Sequence, residues 1–489
     1  MRHIAFVCGQ KRWQITWGVF GCIVGAMILY TQGCNGPTLK PWHTQRLTEE
    51  FTVKSLAEIR TLEDYVKLED RLFAQLAEKV YAPTGTGPEY ELVRYSAGSQ
   101  ADPQHRTPNW NHTFELPAES PVGGALLLHG MSDSPYSLRA LAQTLNQHHY
   151  WVVGVRLPGH GTAPSGLRFV TWQDMAAVVQ LGMTHLAAKV GQKPIHIVGY
   201  STGAPLALNY SLDALEKTAS PLPASLVLIS PAIGVHWAAG LAGFKDGLSN
   251  IPGLGRLAWL SIEPEFDPFK YNSFATNAGA QVHRLTRSVS KRISGRAQSG
   301  PSELFPPTLV FKSTVDATVL PNAVVDNLLR HLEPDRHELV LFDINRFAAK
   351  TKLLIDDPAP LTDRLMADKT LPFTLTLVSN DNPETPQVSA RQKAPFSSDV
   401  SKAQSLHLAW PTGVISLSHV ALPFPPDDPL YGQRPPGNET VLFLGQMALQ
   451  GERGLLKISY DWLVRLRYNP FYGFLENRAL QWMDSADNR

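Results

Sequence analysis

Cysteine is almost missing from this sequence. Among 489 residues only Cys8, Cys22 and Cys34 carry a thiol, and none follows residue 34. That excludes a disulfide framework, a cysteine-ligated metal and a thiol nucleophile from the bulk of the chain. An excess of charge of one sign is missing as well. Lys and Arg number 44 against 43 Asp and Glu, a formal net charge of +1. With no basic run, nothing marks a nucleic acid or another polyanion as a partner. There is no internal repeat and no long low-complexity tract, which excludes solenoids and arrays. No cluster of His, Asp and Glu stands at ligand spacing, so no metal is expected, and no organic cofactor is implied either.

What the chain does have is apolar residues (43%) broken up by 38 prolines and 36 glycines. This is the composition of a large, loop-rich core, in one big domain with insertions or in two domains. The N-terminus resembles a targeting segment. Arg2, Lys11 and Arg12 precede an uncharged apolar run from Ile15 to Thr31, whose length lies between a signal core and a membrane span. Gly33-Cys34 follows, similar to the end of a bacterial lipoprotein signal in which the cysteine is lipidated, although Thr31-Gln32 departs from the usual small or aliphatic pair. A lipid anchor on Cys34, an uncleaved span and plain secretion all remain open. Each exports the rest of the chain, so residues 1–34 predict an exported protein, anchored to the membrane of a bacterial envelope.

Residues 35–120 are expected to hold a polar linker, an amphipathic helix or helical pair between Leu47 and Tyr81, and early antiparallel strands at Leu92–Tyr95 and Thr113–Leu116. From residue 121 to 489 short apolar runs alternate with helical periodicity. Ala125–Leu128, Trp151–Val155, Ile195–Tyr200, Leu226–Ile229 and Thr308–Phe311 predict strands, and Ser134–His148, Trp172–Val190 and Pro205–Leu215 predict helices. Apolar strands alternating with helices mean an α/β fold with a mostly parallel sheet covered on both faces. The rhythm stops between about 231 and 306, which predicts an inserted cap with short helical fragments around Ala238–Leu248. Its Trp237, Phe244, Leu248, Trp259, Phe266, Phe269 and Phe274 either line a substrate pocket or glue the insertion to the body. Glu338–Phe342, Phe373–Val378, Leu406–Trp410 and Val414–Leu417 predict further strands. A loop-rich insertion is expected over about 344–402, and a helical tail broken at Pro470 over Gly454–Met483.

The chemistry centres on Gly199-Tyr200-Ser201-Thr202-Gly203. An apolar, β-branched run leads into this G-x-S-x-G and a helical run leads out. That is the context in which a serine sits on a sharp strand-to-helix corner with its hydroxyl lifted clear of the sheet. Ser201 is the expected nucleophile. Around it stand Leu126-Leu127-Leu128-His129-Gly130 with Ser134-Pro135-Tyr136-Ser137, Arg156-Leu157-Pro158-Gly159-His160-Gly161-Thr162, and Thr171-Trp172-Gln173-Asp174. As a set these resemble the α/β-hydrolase superfamily, and within it the monoacylglycerol lipase and bacterial carboxylesterase branch. The likeness covers about Gly124 to Pro231 closely. It implies an α/β-hydrolase fold and a nucleophile, acid and base in the chain order Ser, Asp or Glu, His.

For the acid, Asp316 directly follows the strand at Thr308–Lys312, at the carboxyl end of the sheet. It is preferred to Asp343, which is followed by a long insertion with no histidine nearby. For the base, His419 is preferred to His331, His337 and His407, because it alone lies in a loop flanked by small polar residues. The backbone amides of Met131 and Thr202 are the expected oxyanion donors. His129 and His160 are read as structural. The expected function is hydrolysis of a carboxylic ester, of esterase, lipase or lysophospholipase type, on a small-molecule or lipid substrate. The alternatives are a serine peptidase or amidase on the same fold, or a non-catalytic envelope protein of this fold that binds a partner. The long stretch between Asp316 and His419 and the helical tail depart from the branch.

Overall fold

The computed structural model describes residues 37–234, 255–299, 304–316, 321–349, 357–435, 437, 442–445 and 466–487. Twelve strands are defined among them: β1 (Phe114–Leu116), β2 (Gly123–Leu128), β3 (Tyr150–Val155), β4 (Ile195–Tyr200), β5 (Ser225–Ile229), β6 (Trp259–Ser261), β7 (Phe274–Ala275), β8 (Thr308–Ser313), β9 (His337–Phe342), β10 (Thr374–Asn380), β11 (Gln387–Lys393) and β12 (Gln404–Ala409). Ten of these form one sheet in the order β1-β3-β2-β4-β5-β8-β9-β10-β11-β12, and β6 with β7 form a separate ribbon. Neighbours from β3 through to β10 run parallel. Antiparallel β1 closes one edge, and antiparallel β11 and β12 extend the other.

The longer helices among the described residues are α1 (Leu62–Leu76), α2 (Arg139–Gln147), α3 (Trp172–Val190), α4 (Gly203–Leu215), α5 (Thr276–Ser299), α6 (Pro321–Asn327), α7 (Ala359–Ala367) and α8 (Tyr472–Asp487). Thr61 with Asp64 and Thr171 with Asp174 form reciprocal caps that start α1 and α3. Alternation along each strand divides the core in two. Leu126, Leu128, Ile197, Leu226, Leu228 and Val310 face one side, against α3, α4 and α5. Ala125, Leu127, Val198, Val227, Leu309 and Phe311 face the other, against α2 and α8.

The segment before β1 clasps the body through a buried ion cluster. Arg156, fully inaccessible, pairs with Glu69 and with both oxygens of Glu50. The strand expected at Leu92–Tyr95 is a run of turns instead. Arg94 bonds the carbonyls of Asp267 and Gly161 and the side chain of Asn111, so its polar groups serve three distant segments rather than a ladder.

Two insertions differ from expectation. Between β5 and β8 the described residues hold a 24-residue helix, α5, and not only a broken cap. Ala278, Val282, Leu285, Val289 and Ile293 recur at helical spacing and pack into the main core, so α5 covers the sheet as a crossover helix. The fragments expected at Ala238–Leu248, with Trp237 and Phe244, lie outside the described residues. Of the remaining aromatics, Trp259 and Phe274 pack with the main core, while Phe266 and Phe269 join Tyr136, Phe424 and Tyr431 in a separate cluster. All four therefore tie the insertion to the body.

In the second insertion, β11 occupies residues expected to be loop. Its exposed polar residues Gln387, Arg391 and Gln392 fit a strand close to the sheet edge. Conversely, Val414–Leu417 is not a strand. Its carbonyls are taken up outside any ladder: Asn345 Nδ2 donates to Val414, Ser313 Oγ donates to Leu417, and the Asn345 backbone N–H donates to Ile415. Asn345 Oδ1 also accepts from Asn380 Nδ2 at the end of β10. The tail is helical after Pro470, as α8, while 454–465 lies outside the described residues. So does the anchor expected over 1–34. Among the described residues no helix is long and apolar enough to cross a membrane.

Candidate active site

β4 runs into α4 through a turn that forces Ser201 into the left-handed region, at φ +51°. For a non-glycine residue this conformation costs about 1–2 kcal/mol. Hydrogen bonds hold it there. The Ser201 amide donates to Ile229, and its carbonyl accepts from the amides of Ala204 and Ala232. The flanking glycines are required by packing. A Cβ on Gly203 would lie 2.0 Å from the Leu128 carbonyl oxygen, and one on Gly199 would lie 2.6 Å from that of Gly203. Ser201 is left partly exposed at the carboxyl end of the sheet.

Two distant segments meet this serine. His419 places Nε2 3.0 Å from Ser201 Oγ and Nδ1 2.7 Å from Asp316 Oδ2. Asp316 follows β8, and His419 follows the loop whose carbonyls Asn345 and Ser313 hold. Burial opposes ionisation of Asp316. Its hydrogen bond to His419 and the charges of His419 and Lys312 outweigh burial, and the carboxyl sits well below the usual carboxylate range. The three residues singled out in the sequence are thus brought together. The rivals are not. Both oxygens of Asp343 are taken by Arg346. His337 Nδ1 accepts from the Thr308 amide. His407 lies exposed on edge strand β12, and His331 ends a 3₁₀ turn.

The turn after β2 abuts the serine. A Cβ on Gly130 would stand 3.1 Å from Ser201 Cβ. Among the hydrogen bonds of the described residues, neither the Met131 amide nor the Thr202 amide donates to another protein group. The turn is braced from behind: Tyr271 N–H donates to the Ser132 carbonyl, and Lys270 pairs with Asp133 at 2.9 Å. His129 Nε2 accepts from the Leu157 amide, so its Nδ1–H donates to the Gly130 carbonyl. Burial, reinforced by His160, holds the His129 ring well below the usual imidazole range. His160 is pushed down to about 4, mainly by burial, and its Nδ1 faces the Pro158 carbonyl. Both rings are neutral supports, as their sequence context suggested. No group of three or more metal-ligating side chains is arranged for a metal among the described residues.

Sequence reasoning missed three supports. Asp428 holds Tyr136 and Arg139 just beyond the turn that follows β2. Asp267 joins Tyr431 to Arg467. Both depend on partners far apart in the chain and carry no local signal. The third, Lys312, did carry one: a lysine in a mostly apolar strand, four residues before Asp316.

Comparison with known proteins agrees with this architecture. The model of the alpha/beta hydrolase family matches residues 125–429, well over half of the chain. A thermostable monoacylglycerol lipase of Bacillus sp. (strain H-257) is 26% identical over 223 residues, which is 46% of this chain and 82% of that protein. Among solved structures, the monoacylglycerol lipase of Paleococcus ferrophilus is 16% identical with a TM-score of 0.37, over 47% of this chain and 88% of that one. A soluble variant of monoglyceride lipase from Saccharomyces cerevisiae is 16% identical with a TM-score of 0.36, over 47% and 82%. The branch resembled in the sequence is therefore the one met again among its relatives, and the chain belongs to the alpha/beta hydrolase family.

Proposed function

We propose that the protein is a serine hydrolase that cleaves carboxylic esters through an acyl-enzyme, with Ser201 as nucleophile, His419 as base and Asp316 as orienting acid. The observation that carries this reading is the relay of contacts from Ser201 Oγ to His419 Nε2 (3.0 Å) and from His419 Nδ1 to Asp316 Oδ2 (2.7 Å). An ionised carboxylate only accepts, so Nδ1 carries the proton and the Nε2 lone pair faces the serine hydroxyl. Ser201 Oγ attacks the ester carbonyl carbon as its proton passes to Nε2. The tetrahedral oxyanion is held by the amides of Met131 and Thr202, each worth roughly 10²–10³ in rate. Collapse of the intermediate breaks the bond to the alkoxy oxygen, and Nε2–H protonates the departing alcohol. Water activated by His419 then attacks the acyl-enzyme and releases the acid.

The choice of an ester over an amide rests on the kinship with a monoacylglycerol lipase. A lipid ester is the favoured substrate class. Ser201→Ala tests the assignment: it is expected to abolish labelling by a fluorophosphonate probe and hydrolysis of p-nitrophenyl esters. Equal labelling of variant and parent sinks it, and turnover of peptide amides but no ester transfers the reading to a peptidase. In the same reading residues 1–34 export the enzyme and hold it at a bacterial membrane. Incorporation of a palmitate analogue that disappears in Cys34→Ala supports a lipid anchor. A protein found wholly outside the membrane fraction overturns anchoring.

A further inference from the structure

Every residue of β8 from Thr308 to Ser313 is buried, and the fifth is a lysine. The side chains of Lys312 and Asp316 are both fully inaccessible. A lysine is almost never found at such depth unless it is paired. The Lys312 ammonium meets Asp316 at Oδ2, the same oxygen that takes His419 Nδ1–H. An acid that only orients a histidine has no need of this second cation. Burial pushes the ammonium down, and Asp316 opposes that push.

We propose that Lys312 is a positioning residue of the active site, which clamps the shared oxygen of Asp316 and lowers the proton affinity of the Asp316–His419 pair, so that the base stays available at lower pH. This rests on the triad reading above. Protonating the pair adds a positive charge, and a fixed positive charge on the shared oxygen opposes it. Depth keeps that effect from being screened by salt. Among the described residues, the charged groups on the neighbouring elements have partners of their own. Tyr200, at the end of β4, presents its ring 5.8 Å from that of His419, and Ser201 supplies only its hydroxyl. On β9, Glu338 is paired with Arg478 and Asp343 with Arg346. On α6, Asp326 is paired with Arg330.

The test is the pH dependence of kcat/KM for a p-nitrophenyl ester, measured on the full-length parent, Lys312→Met, Lys312→Gln and Lys312→Arg, each checked for cooperative unfolding. The acidic limb is expected to move up by about one pH unit in Lys312→Met and Lys312→Gln. It stays at the parent's position in Lys312→Arg, which keeps the charge. A purely structural lysine would change the height of the profile and not its midpoint. Folded Met and Gln variants with an unmoved limb overturn the proposal. Failure of both to fold overturns it too, by assigning Lys312 to the fold alone. Failure of the triad reading is distinguished by Ser201→Ala, which would then retain ester hydrolysis wherever the limb lies.

Discussion

Asp316→Asn separates two tasks that the structure loads onto one carboxylate. The first is orientation of His419. An asparagine presents an amide to Nδ1, the tautomer is lost, and kcat is expected to fall by about 10⁴. That corresponds to roughly 5.5 kcal/mol of transition-state stabilisation. The second is neutralisation of Lys312, whose side chain is wholly inaccessible. Removing one partner of a buried ion pair typically costs about 3–5 kcal/mol, because the other charge is left uncompensated. Against a total stability of about 5–15 kcal/mol this is a large share. The double variant Asp316→Asn/Lys312→Met removes the stranded charge, so most of the stability returns while activity does not. The pH dependence has a definite sign. The folded-state pKa of Asp316 is lowered, so its stabilisation is complete above about pH 5, fades as the solution is acidified, and is absent from the Asn variant. Urea unfolding followed by tryptophan fluorescence, together with ester hydrolysis, measures both effects. A single variant as stable as the parent, or a double variant no more stable than the single, refutes the buried charge pair. Parent-like turnover in Asp316→Asn refutes the acid.

Three further outcomes are expected. His419→Ala loses at least about three orders of magnitude in rate, while His407→Ala on the exposed edge strand is neutral; the reverse result moves the base. Gly203→Ala drives a methyl to within 2.0 Å of the Leu128 carbonyl oxygen, where sheet backbone cannot yield. A loss of about 3 kcal/mol or more is expected in thermal unfolding, and parent-like stability would contradict the packing described. Burial holds His43 at about 3, His160 at about 4 and His129 well below its usual range. Their folded values lie below the unfolded value of about 6.5, so stability is full above that pH and falls on acidification. The slope reaches up to roughly 4 kcal/mol per pH unit. Urea midpoints unchanged between pH 7 and pH 5 would rule this out.

The central fold and the candidate triad were legible for one reason. Each depends on local pattern: an apolar run, a G-x-S-x-G corner, an Asp at a strand end, a His among small residues. Helix α3 spans Trp172–Val190, the range its periodicity predicts, because a reciprocal cap at Thr171 and Gly191 at its end punctuate it. What escaped lay where local pattern and tertiary role diverge. The stripe of α5 was present in the sequence, but the Pro- and aromatic-rich stretch ahead of it hid the point where the helix begins. β11 is polar because it sits beside the outermost strand of the extended sheet. Val414–Leu417 is apolar enough for a strand, yet Asn345 and Ser313 claim its carbonyls. The clamps of Asp267 and Asp428 join residues hundreds of positions apart and leave no trace in any window.

The chain between Asp316 and His419 is long only along its contour. Asn345 grips Asn380, where β11 and β12 are about to depart, and also Val414 and Ile415, where the chain comes back. One side chain thus buckles both ends of the detour. What lies beyond the buckle does not enter the distance between Asp316 and His419. The length of that excursion is a free variable, since closure entropy grows only slowly with loop size. Residues 381–413 use that freedom to extend the sheet edge by two strands, and Val388 and Trp410 tie the extension back into the core beside Leu417 and Phe471.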